Sequence, residues 1–238
     1  MNLPPLVRKA LAEFLGVTLF LTAIVGAAAF TQSQLAAAAI GTVLGLAIFV
    51  TAPISGGHLN PVVSVYFFSR REITVVELLS YVGAQIAGGI FGVFIATQMF
   101  LQPIQFSTNN NVANSGALIS EVFMAGGLVW LVGRLATTGK GQYIPVTVGL
   151  WIFAGIAFSS SGAQANPAVS IGLIFAGQAT AQTAAYILAQ LGGMLIAAIF
   201  VLVFADRKPV MVESLEVDKP ANLAKVTRKP AAKKPAVK

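Results

Sequence analysis

Apolar residues in this chain gather into long runs separated by brief polar punctuation. The runs cover approximately Ala10–Phe30, Leu35–Ile54, Ile73–Leu101, Gly116–Ala136, Tyr143–Phe158 and Gln182–Ala205. A helix needs roughly 20 residues to cross a bilayer, so these six runs predict six membrane-spanning helices. Two further apolar stretches, Val62–Phe68 and Ala168–Ala176, are too short to cross. Each follows an Asn-Pro pair, Asn60-Pro61 and Asn166-Pro167. Asn favours the N-cap position, and Pro suits the first helical turn, where its missing N–H has no partner to lose. The pairs therefore predict two half-helices, one after the second span and one after the fifth.

The half-helices belong to a longer repeat. Ser55-Gly-Gly-His-Leu-Asn-Pro-Val-Val-Ser64 returns 106 residues later as Ser161-Gly-Ala-Gln-Ala-Asn-Pro-Ala-Val-Ser170. Glu13 stands 47 residues before Asn60, and Glu121 stands 45 before Asn166. Tyr81-Val-Gly-Ala-Gln85 and Tyr186-Ile-Leu-Ala-Gln190 follow the two motifs at offsets of 21 and 20. With three spans in each half, the second half is inverted in the membrane. The two short helices then enter from opposite faces and their N-termini meet near the midplane. The Gly/Ser-rich segments Thr51–Leu59 and Ser159–Ala165 are expected to be irregular, which is tolerated at that depth only where protein or water satisfies the backbone. Gln85 and Gln190, with Gly88, Gly89, Gly192 and Gly193, read as helix-contact residues.

Composition agrees. The 238 residues are 56% hydrophobic and 10% charged, against about 25% charged in soluble domains. The net charge of +7 sits mostly in Arg207–Lys238, where nine Lys/Arg outnumber Glu213, Glu216 and Asp218. We read residues 1–206 as one membrane domain, with repeats at about 8–101 and 116–206. Residues 207–238 are read as a disordered basic tail, solvated or drawn to anionic lipid, with nucleic acid not expected as a partner. The remaining cations, Arg8, Lys9, Arg70, Arg71, Arg134 and Lys140, fall with the tail on one side if six spans are correct. The positive-inside rule makes that side cytoplasmic, with both termini inside. The first run lacks a cleavage site after a short hydrophobic stretch and reads as a retained span. With no cysteine and one histidine, thiolate or conventional zinc and di-iron sites are not expected. No nucleophile–base constellation or cofactor fingerprint points to an enzyme.

The paired Asn-Pro boxes, Glu13 and Glu121, and the Tyr-x-x-Ala-Gln segments closely resemble the aquaporin and glycerol-facilitator (major intrinsic protein) family. The resemblance covers roughly residues 8–206. It implies an all-α membrane protein with six transmembrane helices plus two half-helices in an inverted repeat, assembled as a homotetramer with a pore in each protomer. It places Asn60, Pro61, Val62, Asn166, Pro167 and Ala168 at the pore centre, and His58 on the cytoplasmic side of the lumen. In the family, glutamates placed like Glu13 and Glu121 hold the pore loops through backbone N–H groups. The physics points the same way: each helix N-terminus carries about half a positive charge, and Asn60 and Asn166 can direct Nδ2–H groups into the lumen.

The chain departs from its relatives at the outer constriction. Most of the family has Arg three residues after the second Asn, where this chain has Val169. By family offsets the ring is Ile40, Ile156, Ala163 and Val169, all apolar. Ser170 stands where glycerol facilitators usually carry Asp. These features imply a permissive passive channel for water and small uncharged solutes such as glycerol-like polyols, urea, ammonia, peroxide or dissolved gas. Two rivals remain at this level. A secondary transporter also uses inverted repeats but usually needs a coupling-ion site. A non-conducting scaffold or junction protein on the same fold is compatible with apolar constrictions.

Overall fold

The computed structural model of the chain describes residues 3–30 and 35–205. The elements are α1 (Pro5–Ile24), α2 (Ala36–Ser55), α3 (Pro61–Ser69), α4 (Val75–Met99), α5 (Ser115–Thr137), α6 (Ile144–Phe158), α7 (Pro167–Gly172) and α8 (Thr180–Val203). Helix α1 continues as a six-residue π-helical stretch, Val25–Phe30. Six helices among the described residues are long and apolar enough to cross a membrane, and α3 and α7 are the two short ones. The basic tail, and the Thr31–Gln34 connection, lie outside the described residues.

Local chemistry sets several boundaries. Helix α4 opens with a capping box: Thr74 Oγ1 accepts from Glu77 N at 3.2 Å, and Glu77 Oε2 accepts from Thr74 N at 2.9 Å. Asn114 caps α5 by accepting from Ala117 N at 2.9 Å. The segment expected to be irregular from Thr51 is instead helical to Ser55, with Pro53 inside the last turn. The helix stops at Gly56, whose φ of 93° suits a residue without Cβ. The second half-helix is also shorter than its apolar run. It is α-helical to Gly172 and then tightens into a 3₁₀ turn, Leu173–Phe175.

Helix α1 packs on α4, α5 on α8 and α2 on α6. The first two pairs repeat one another. A Cβ at Gly88 would collide with the Phe14 carbonyl of α1, and one at Gly193 with the Val122 carbonyl of α5. Gly41 and Gly149 stand in the same relation between α2 and α6. Gly192 departs from the expected helix contact, since a Cβ there would meet nothing within 4 Å. The half-helices cross over: α3 touches α8 of the second half, and α7 touches α4 of the first.

Polarity is arranged opposite to that of a water-soluble bundle. Leu15, Leu19, Phe49, Leu79, Leu188 and Ile199 are each more than half exposed on the outer surface. Glu13, Gln85, Glu121 and Gln190 have no accessible surface at all. Carboxylates inside a membrane bundle are costly unless they face protein partners, and here they do.

Candidate pore

Each Asn-Pro box starts its helix by a specific hydrogen bond. Asn60 is in extended conformation and its Oδ1 accepts from Val62 N at 2.9 Å; Asn166 does the same with Ala168 N at 2.9 Å. Pro61 and Pro167 occupy the next position, so neither removes a needed donor. The Nδ2 groups also reach across to the opposite loop. Asn60 Nδ2 donates to Ala165 O at 2.8 Å, and Asn166 Nδ2 donates to Leu59 O at 2.9 Å. A primary amide has two N–H donors, so each Asn keeps one after this exchange.

The loop residues that present those carbonyls are held by buried carboxylates. Glu13 accepts from His58 N at 3.0 Å, Leu59 N at 2.6 Å, Gln85 Nε2 at 2.7 Å and Ser55 Oγ at 2.5 Å. Glu121 accepts from Gln164 N at 3.0 Å, Ala165 N at 2.8 Å and Gln190 Nε2 at 2.6 Å. Leu59 and Ala165 both have φ of 48°, a left-handed conformation that costs a residue with Cβ roughly 1–2 kcal/mol. The carboxylates stabilise that turn by gripping two successive N–H groups. Gln85 and Gln190, read as helix-contact amides, bond across helices to the carboxylates and on to the half-helices. Gln85 Nε2 also reaches Ser64 Oγ, and Gln190 Nε2 reaches Ser170 Oγ, both at 3.0 Å.

Two cavities share lining residues here, and one of them borders both Asn side chains. The inner one holds about 50 Å³. A water needs about 10–15 Å³ on this measure, so the chamber fits a few waters in file. His58, Asn60, Gln164 and Asn166 border it, together with an apolar wall that includes Leu44, Ile48, Val63 and Val148. The outer cavity holds about 330 Å³ and is bordered by Ile40, Ile156, Ala163 and Val169, the four residues reached by family offsets. Ile24, Val25 and Ala28, at and beyond the end of α1, border it too. Among the described residues, no Lys, Arg, Asp or Glu borders either cavity. Val62 and Ala168 sit behind the Asn residues as the first capped N–H groups and are fully buried.

His58 borders the inner cavity with little freedom. Its ring stacks on Phe67 at a centroid distance of 4.7 Å, meets the edge of Tyr81 at 5.2 Å, and lies with Nδ1 3.2 Å from Ser64 Oγ. Gln164 holds the equivalent place in the second box. Its Oε1 accepts from Ser170 Oγ at 2.7 Å, and its Nε2 donates to Gln178 Oε1 at 2.6 Å. Ser64, Gln164 and Phe20 were not singled out by sequence as site residues. The two serines were visible as the matching last letters of the repeated motif, and Gln164 as the counterpart of His58. Phe20 had no signal, because one Phe in an apolar span looks like any other.

The same pattern recurs in known proteins. The family model described as major intrinsic protein matches residues 1–160. An aquaglyceroporin of Rhizobium meliloti is 33% identical over 180 residues, covering 71% of this chain and 76% of its own length. Aquaporin TIP1-1 of Arabidopsis thaliana is 35% identical over 192 residues, covering 71% of this chain and 75% of its own. A glycerol uptake facilitator protein-like 6 of Lactiplantibacillus plantarum is 33% identical over 211 residues, with 80% and 95% covered. The X-ray structure of the aquaglyceroporin from Plasmodium falciparum superposes with a TM-score of 0.62 at 24% identity, over 84% of this chain and 95% of that one. That last likeness is one of fold.

Proposed function

This chain belongs to the major intrinsic protein family, and from that premise we propose that it is a passive channel carrying water and small uncharged solutes. The solutes we assign are glycerol-like polyols, urea, ammonia and peroxide. The family is one of channels rather than enzymes. The observation that carries the reading is the exchange between Asn60 and Asn166, which leaves two fixed amide donors beside a chamber that holds a few waters.

Each residue has a distinct task in this reading. Asn60 and Asn166 offer their remaining N–H groups to a passing oxygen, so that oxygen accepts from the wall and does not hand a proton along the file. The N-termini of α3 and α7 add positive potential at the same place, which repels cations. Glu13 and Glu121 hold the loops and do not touch the solute. Ile40, Ile156, Ala163 and Val169 form an apolar mouth that offers no charge to a solute and no guanidinium to narrow the opening. His58 lines the inner chamber as a packed, immobile ring.

The assembly follows the family's pattern: a homotetramer in a plasma or inner membrane, one conduit per protomer, surrounded by lipid. Arg8, Lys9, Arg70, Arg71, Arg134 and Lys140 mark the cytoplasmic end, with both termini there. Stopped-flow light scattering on proteoliposomes tests the reading. Water and glycerol flux well above that of empty vesicles, with proton leak unchanged, is the expected result. Correctly folded protein that passes neither would move the chain to the non-conducting class.

A further inference from the structure

Two cavities of unequal size share part of their lining. The four apolar residues at positions 40, 156, 163 and 169 border the larger cavity, about 330 Å³, while the chamber inward of it holds about 50 Å³. Three residues border both: Phe20 of α1, Ile152 of α6 and Gln164 of the second pore loop. They mark the boundary between the two cavities. Phe20 and Ile152 are each only 2% exposed, as buried as Ile40, Ala163 and Val169 at the mouth.

Of these three, one is held by hydrogen bonds. Gln164 is bonded at both ends of its amide, to Ser170 Oγ and Gln178 Oε1, and its backbone N–H is taken by Glu121. Gln178 is fixed in turn, because its Nε2 donates to Ser170 O at 3.2 Å and Thr183 Oγ1 at 2.9 Å. That wall of the junction is braced by four polar groups. Phe20 and Ile152, the other two shared residues, have apolar side chains that fill space by bulk alone, so the size of the passage depends on them.

We propose that the size limit of this channel is set by Phe20, against Ile152 and the braced Gln164, rather than by the apolar mouth. The inference rests on the passive-channel reading above and adds a specificity-determining residue to it. Phe20 lies on the first helix, outside both pore loops and outside the four-residue ring.

The test uses the full chain in proteoliposomes and a series of linear polyols: ethylene glycol, glycerol and erythritol, each measured relative to water. Phe20→Ala and the milder Phe20→Leu are compared with Val169→Ala at the mouth. The expected result is a severalfold rise in the erythritol-to-water ratio for Phe20→Ala, and a smaller rise for Phe20→Leu and for Val169→Ala. Phe20→Trp should do the reverse, losing glycerol while keeping water. Should Phe20→Ala fail to fold, the Leu and Trp variants carry the comparison, since they keep bulk at the position. Unchanged ratios in the Phe20 variants, or a rise for Val169→Ala that matches or exceeds that of Phe20→Ala, overturn the assignment. A wild-type chain that passes neither water nor any polyol overturns the channel reading itself, an outcome distinct from unchanged ratios.

Discussion

Asn60 and Asn166 each donate through Nδ2 to the carbonyl of the residue preceding the other, at 2.8 and 2.9 Å. The two boxes are therefore not merely alike. Each completes its neighbour's loop, and the cap and the cross-link share one side chain. Asn60→Ala loses the cap on Val62 N and leaves the Ala165 carbonyl without its donor. The combined cost is on the order of 2–4 kcal/mol. Asn166→Ala should cost the same within error. Thermal unfolding in detergent measures the stability, and a pH-sensitive dye inside vesicles measures the proton leak, which should rise in both. A stable, proton-tight Asn60→Ala protein would count against the exchange as the central device.

The carboxylates should differ in a definite order. Glu13 takes four donors and Glu121 takes three. Glu→Gln replaces one acceptor oxygen with an NH₂ that faces donors, and each buried donor left unmet costs about 1–3 kcal/mol. Glu13→Gln should therefore be the more destabilised of the two, with both folding less well than wild type. Melting curves compared side by side decide it, and the reverse order would contradict the hydrogen-bond accounting.

Restoring a cation at the mouth should change what passes. Val169 is 1% exposed and borders the outer cavity. Val169→Arg puts a long side chain with several donors into that space. The glycerol-to-water permeability ratio should fall by roughly tenfold, a factor equivalent to about 1.4 kcal/mol in barrier height. A shrink-and-reswell assay reads it directly. An unaltered ratio would show that the inserted side chain does not obstruct the path.

Neighbouring glycines give an internal control on helix packing. Gly193→Ala drives a methyl into the Val122 carbonyl, whereas Gly192→Ala meets open space. Overpacking of this kind costs typically about 1–3 kcal/mol, while an unhindered Gly→Ala in a helix gains up to about 1 kcal/mol. The two variants should shift the melting temperature in opposite directions.

Much of this was legible because it depends on period and repetition. Apolar runs of bilayer length announced the spans, and Asn-Pro announced the half-helices, since capping is a local interaction between residues two apart. Glu13 and Glu121 stood out as carboxylates in apolar sequence. What escaped was non-local. The reach of Asn60 Nδ2 to Ala165, 105 residues away, has no trace in either segment alone. The role of Gln85 depended on a carboxylate 72 residues distant, so the amide read only as helix glue. Gly192 and Gly193 are adjacent letters, and only the helix orientation decides which one meets α5. The helical extension of α2 to Ser55 was hidden because Pro53 and the small residues beyond it read as a break.

The left-handed turns at Leu59 and Ala165 carry one more implication. Each turn exposes a carbonyl whose donor resides in the opposite half of the polypeptide, so neither half can finish its own loop. During synthesis the first loop must wait, kinked and one bond short, until more than a hundred further residues have been threaded into the bilayer. The middle of the conduit thus closes only once the second loop has been made, and the first half made on its own should remain open there.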